Sequence, residues 1–362
     1  MPSPNASVPT RSTPSAWLGR FAWLTAGATI CLICAGGLVT SHEAGLAVPD
    51  WPNSYGYNMF LFPVSKWVGN ILFEHVHRLA ASVVGLLTTI LAIWLWRRDE
   101  RRWMKWLGVA AFGMVVFQGV LGGLRVTLLK DQIGVFHAAI AQSFLVLVAA
   151  IALFSTNWWR GRAGRVDASP GRLGTVFLAV TGLIFVQLIV AATMRHQHAG
   201  LSIPDFPAAY GKIWPDTDEQ AVARYNQMRV ETNGYKPITS FQVVLQMVHR
   251  MIAVAILASV GWVAWRTRAI LGSKHALSRL GMGWLVLVIL QVLLGATTIW
   301  TGKSADVATA HVAIGALCLL AGSLGAIISL APMAGVAYKV APVTDRVRTL
   351  APAGVAAPRQ PI

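Results

Sequence analysis

The sequence predicts an all-α, polytopic membrane protein, with eight transmembrane helices arranged as two parallel-repeat four-helix bundles. Three observations predict it. Apolar runs long enough to cross a bilayer recur along the whole chain, Lys and Arg gather on alternate connections, and a loop motif of the first half returns in the second. Of 362 residues, 55% are hydrophobic and 12% charged, with a mean hydropathy of +0.58, against a charged share of roughly 25% in soluble domains. Crossing about 30 Å of hydrocarbon at about 1.5 Å per residue takes about 20 residues. The runs are too uniformly apolar for the alternating strands of a barrel, and in lipid a helix satisfies its backbone groups within one segment.

The first run, 21–41, follows Arg11 and Arg20. Runs 71–96 and 103–126 enclose Arg97, Arg98, Arg101, Arg102 and Lys105, whereas 133–156 and 172–194 enclose Arg160, Arg162, Arg165 and Arg172. Runs 241–265 and 277–300 enclose Arg266, Arg268, Lys274 and Arg279, and 305–331 leads to Lys339, Arg346 and Arg348. The intervening connections are neutral or mixed: Lys66 is offset by Glu43 and Asp50, Lys130 by Asp131, and 195–240 carries both signs. By the positive-inside rule both termini are cytoplasmic. The net charge of +16 and pI near 10.6 are therefore an orientation signal and not a nucleic-acid footprint. The chain divides into a cytoplasmic tail (1–20), a first bundle (21–156), a cytoplasmic linker (157–171), a second bundle (172–331) and a second tail (332–362). Cys31, Cys34 and Cys318 all fall in apolar runs and read as small buried residues, not as a redox pair or zinc ligands. The first run is too long for a signal-peptide core and is expected to stay as a helix, and the short segment before it argues against a cleaved transit sequence.

The repeat is visible directly. Gly45-Leu-Ala-Val-Pro-Asp-Trp-Pro-Asn-Ser-Tyr-Gly56 returns as Gly200-Leu-Ser-Ile-Pro-Asp-Phe-Pro-Ala-Ala-Tyr-Gly211, Val76-His77-Arg78 as Val248-His249-Arg250, Gln118 and Gly122 as Gln291 and Gly295, and His137 as His311. With an even number of spans in each copy, the repeats are parallel. The repeated loop reads equally as an interfacial anchor with proline-fixed turns and as a lid over an outward-facing site.

His77, His137, His249 and His311 each fall early in a span that runs inward, within about ten residues, or roughly 15 Å, of the outer face. Ionisable groups in a span are costly, and four histidines at one depth point to function. Two imidazoles on neighbouring helices are what a haem in a bundle core needs, one pair per half. Zinc is less suited, since no Cys or carboxylate cluster completes its shell. Arg78 and Arg250, each next to a histidine, would suit haem propionates. Arg125 and Arg195 end outward-running helices and are expected to snorkel to the headgroups. His42, His75, His196 and His198 read as interfacial polar residues. Glu74 lies three residues before His77, on the same helix face, whereas Gln246 holds the matching place before His249. Either Glu74 is an interfacial carboxylate paired with Arg78, or it makes the first half the reactive one by moving protons or stabilising developing charge.

On Glu74-His75-Val76-His77-Arg78, Gly122-Gly123-Leu124-Arg125, His137 and the repeated Gly-Leu-x-x-Pro-Asp-aromatic-Pro element, the chain resembles the haem A synthase family over nearly all eight spans. The resemblance implies a membrane oxidoreductase that converts the C8 methyl of haem O to a formyl group by successive hydroxylations, supporting terminal oxidase assembly. It implies that the substrate haem sits at His77 and His137, that the acid matched by Glu74 is needed for activity, and that His249 and His311 ligate a haem b. Implied partners are haem O, a haem O synthase (protohaem farnesyltransferase), oxidase assembly factors, the lipid bilayer of the cell (inner) membrane and, as an open point, further copies of the chain; nucleic acid is excluded. Without cysteine pairs in its outer loops, the chain resembles the cysteine-free branch. Two competitors stand beside this reading. A dihaem b-type electron-transfer protein needs the four histidines but not Glu74, and a transporter would place polar or broken-helix features near mid-membrane.

Overall fold

The computed structural model describes residues 16–162, 171–233 and 237–330. The tails as far as 15 and from 331, and most of the 157–171 linker, lie outside the described residues. The ten α-helices described are α1 (Ala16–Ser41), α2 (Gly69–Arg98), α3 (Arg102–Leu128), α4 (Asp131–Phe154), α5 (Asn157–Arg162), α6 (Gly171–His196), α7 (Glu219–Asn233), α8 (Ser240–Leu271), α9 (Ala276–Trp300) and α10 (Ala305–Leu330). Eight of them are long and apolar enough to cross a membrane, and each covers one of the runs read from sequence, with no run passing its helix by more than two residues. The other two, α5 and α7, were not expected.

Each connection has a local cause. Thr239 starts α8 with a capping box, its hydroxyl accepting from Gln242 N–H while the Gln242 side chain accepts from Thr239 N–H; this satisfies two N–H groups that have no partner in the first turn. At the other end Gly272, with φ of 77°, donates its N–H to Arg268 O and turns the chain, a conformation costly for any residue with a Cβ. Asp99 caps the connection between α2 and α3: its carboxylate accepts from the N–H and guanidinium of Arg101 and lies near Arg160, while Arg101 also donates to Phe154 O. These bonds join the α2–α3 connection to the end of α4 and to Arg160 of α5. Burial raises the Asp99 carboxyl, but the Arg101 hydrogen bonds and the nearby guanidiniums bring it below the ordinary carboxylate range.

Helices α1–α4 pack in sequence with α1 closing on α4, and α6, α8, α9 and α10 do the same with α6 closing on α10. The two groups meet through α1 on α10 and α4 on α6 and α10. Of the apolar windows of α4 and α10, 56% is buried, against 17% for α3 and α9. The former therefore form the centre and the latter face lipid. Lipid offers no hydrophobic drive between helices, so close approach depends on small residues. Gly322 of α10 lies under Thr181 and Trp284, and Gly325 under the Phe177 ring; Phe177 stacks on Trp284 with ring centroids 5.5 Å apart, and Trp284 Nε1 donates to Cys318 O. A methyl at position 325 collides with Phe177, whereas one at Gly182 meets nothing within 4 Å. Overpacking costs about 1–3 kcal/mol. Gly325→Ala is therefore expected to lower the thermal midpoint in detergent by several degrees and Gly182→Ala to leave it unchanged; equal midpoints for both would refute this packing.

Three expectations need correction. Only Cys318 is buried; Cys34 is half-buried and Cys31 is exposed, because α1 turns that residue away from its neighbours. Arg195 does not snorkel. Its guanidinium turns inward and donates to Gly37 O and Ser41 Oγ of α1, joining the two helix groups. His75 is not interfacial but fully buried between the Phe62 and Trp67 rings, with Nδ1 3.4 Å from Ser54 Oγ.

Candidate haem-binding site

The face opposite the basic connections carries the two long loops, and the repeated motif builds the same structure in each. Asp50 accepts from Tyr55 N–H (2.7 Å) and Gly56 N–H (2.8 Å), and Asp205 accepts from Tyr210 N–H (2.8 Å) and Gly211 N–H (2.9 Å). Tyr55 and Tyr210 each donate a hydroxyl to a carbonyl eight residues earlier, Ala47 O and Ser202 O, both at 2.5 Å. Trp51–Pro52 and Phe206–Pro207 are both cis. The motif is thus the hydrogen-bond set of one turn, written twice.

The helix beneath then holds the turn. Arg78 donates to the Val48, Asp50 and Asn53 carbonyls at 2.9, 2.7 and 3.0 Å, and Arg250 to the Asp205 and Ala208 carbonyls at 2.7 and 2.9 Å. Glu74 Oε2 accepts from Val48 N–H at 2.9 Å, as Gln246 Oε1 accepts from Ile203 N–H at 2.7 Å. Glu74 Oε1 also pairs with Arg78 at 2.6 Å. The guanidiniums expected to meet propionates are thus committed to loop carbonyls. Since a hydrogen bond to a charged group contributes about 1.5–3 kcal/mol, Arg250→Ala is expected to speed amide exchange across 205–211 by about tenfold or more and to leave 50–56 unchanged. Unaltered exchange in both loops would contradict the clamp.

Below the loops stand the four histidines. His249 and His311 face each other across the α8–α10 space, ring centroids 6.5 Å apart at an interplanar angle of 60°. One metal ion between two imidazoles, with bonds of about 2.0–2.1 Å and about 1 Å more to each ring centre, calls for a separation of about 6 Å. The pair fits that requirement. His77 stands on α2 and His137 on α4. All four Nδ1 atoms are buried with no hydrogen-bond partner, a condition rare enough in native interiors to call for a ligand. Glycines clear room beside three of the rings: a Cβ at Gly36 would lie 3.1 Å from His77, one at Gly122 3.6 Å from His137 and one at Gly295 3.2 Å from His311. Among the described residues no group of three or more His, Cys, Asp or Glu could hold a metal ion, so His249 and His311 face each other without a third such group beside them.

Glutamines support these histidines. Gln118 Nε2 donates to His137 O at 3.0 Å, Gln187 Nε2 to His249 O at 2.8 Å, and Gln291 Nε2 lies 3.4 Å from His311 Nε2. Gln118 and Gln291 could be found from the repeat, whereas Gln187 has no repeat signal. Trp51 packs over Gly123, one residue from the glycine facing His137, so the first loop covers that end of the bundle.

Fold and site together define a multi-pass helical membrane protein with a facing histidine pair beneath its long loops. The chain belongs to the COX15-CtaA family, described as cytochrome oxidase assembly protein, whose profile matches residues 19–323. It is similar to proteins named heme A synthase from three bacteria. That of Shouchella clausii is 30% identical over 57% of this chain and 68% of the relative; that of Rhizorhabdus wittichii is 25% identical over 88% and 94%; that of Lysinibacillus sphaericus is 26% identical over 80% and 88%.

Proposed function

We propose that the chain is a haem A synthase of the cell membrane, oxidising the C8 methyl of haem O to a formyl group. In this reading residues 21–156 hold the substrate haem between His77 and His137, residues 172–331 hold a haem b between His249 and His311, and the basic face with both termini is cytoplasmic. The observation that carries the proposal is the facing His249–His311 pair at 6.5 Å, with the family membership beside it. When bound, haem b supplies one-electron chemistry. The chain's own residues do the rest. The imidazoles orient the macrocycles, the glutamines fix the histidine-bearing helices, and the clamped loops exclude water from the long-loop end. Glu74 places the first half's one site carboxylate three residues from His77, where it can hold a proton or face developing positive charge.

The test is to extract haem from cells that express the chain together with a haem O source. The mass change from methyl to formyl is expected, and unmodified haem O would leave the protein an electron carrier.

A further inference from the structure

The stretch between the first repeated motif and α2 differs from its counterpart in the second half. It carries two 3₁₀ turns, Met59–Leu61 and Val64–Lys66, the first capped by Asn58, whose side chain accepts from Phe60 N–H at 2.9 Å. Its apolar side chains divide by direction. Phe62 and Trp67 turn inward, Trp67 Nε1 donating to Phe62 O at 3.2 Å and both rings meeting His75. Phe60, Leu61, Val64 and Val68 turn outward and are 67, 77, 74 and 63% exposed. Such a cluster on a surface marks a binding face, since water-exposed surfaces rarely carry contiguous apolar patches.

The inward contacts set its depth. His75 lies about 9 Å along α2 from Gly69 at about 1.5 Å per residue, so Phe62 and Trp67 lay the stretch back along the flank of the span and not above it. The outward side chains then join the exposed stripe of α2, with Val68, Leu72 and Val76 recurring every fourth residue. The only charge within 57–68 is Lys66. It folds onto Tyr57, with Nζ 3.2 Å from the hydroxyl and 4.6 Å from the ring centre, as a lysine does when its stem lies in an apolar layer. The second loop is built otherwise. Ile213 and Trp214 are exposed there, but Lys212, Asp216, Asp218 and Glu219 flank them, Lys212 pairs with Asp216, and polar α7 follows. We propose that residues 59–68 of the first loop are embedded in the bilayer leaflet on the long-loop side, with Phe60, Leu61, Val64 and Val68 among acyl chains, while α7 of the second loop stands in water. The first half thus meets lipid through its loop as well as its helices.

The full chain in phosphatidylcholine–phosphatidylglycerol liposomes supplies the test, with the photoreactive residue p-benzoylphenylalanine in place of Leu61, of Leu86 on the exposed side of α2, or of Gln227 on the exposed side of α7. After irradiation, mass spectrometry is expected to find the chain heavier by one phospholipid at 61, as at 86, and without lipid at 227. An adduct at 86 with none at 61 would overturn the proposal by placing the patch in water. A cross-link from 61 to a second copy or to another polypeptide would overturn it by assigning the patch to a protein, and equal lipid adducts at 61 and 227 would remove the difference between the loops.

Discussion

Replacing His249 or His311 by alanine is expected to abolish the low-spin haem spectrum of the purified protein, while His77→Ala and His137→Ala leave it in place. The two rings stand on α8 and α10, helices whose separation is fixed by α9 and by the small residues of α10. Neither ring can move to do the work of both. Removing one imidazole would leave a single histidine to hold the iron and opens a gap between helices that the bundle does not close on its own. The readout is the absorbance of reduced protein in detergent. A low-spin spectrum that survives in both single variants would place the haem elsewhere.

The second large effect is expected at Glu74. Its carboxylate is 4% exposed and has both oxygens occupied, one by Arg78 and one by Val48 N–H. A purely structural account is therefore available, and Gln246 illustrates it by holding the second loop through the same kind of bond without charge. That correspondence separates the two roles. Glu74→Gln keeps the acceptor for Val48 N–H and removes only the charge, so the loop and the second-half spectrum are expected to persist while haem A formation falls by about 10²-fold or more, the scale of a lost acid–base group. Glu74→Ala also removes the carboxylate partner of Arg78 and the acceptor for Val48 N–H and is expected to destabilise the first half, since breaking a buried pair costs about 3–5 kcal/mol. Haem A formation close to wild type in Glu74→Gln would make Glu74 a loop anchor alone.

The eight spans were legible because burial in lipid demands long uninterrupted apolar runs, and the facing of His249 and His311 because the repeat lines them up with His77 and His137. Helix α7 was not. It is polar over most of its length and packs Ala221 and Tyr225 into the loop cluster, with Tyr225 stacked on Tyr210, so no apolar run announces it. The partners of Arg78 and Arg250 were illegible for another reason. They are backbone carbonyls of a folded loop, which carry no residue-type signal, and an arginine beside a histidine looks the same whether it waits for an anion or clamps a turn. Arg195 misled in a similar way: the end of an outward-running helix suits snorkelling, and only the approach of α1 through Gly37 turns the guanidinium inward.

The central claim is that two imidazoles of this chain hold one haem iron in the second half of the molecule. Electron paramagnetic resonance of the oxidised protein, with ¹⁵N-labelled histidine to mark the ligand nitrogens, reads it directly. A low-spin ferric signal coupled to two histidine nitrogens, lost in His311→Ala, is the result the account predicts. A high-spin signal, or coupling to a single histidine, would contradict it.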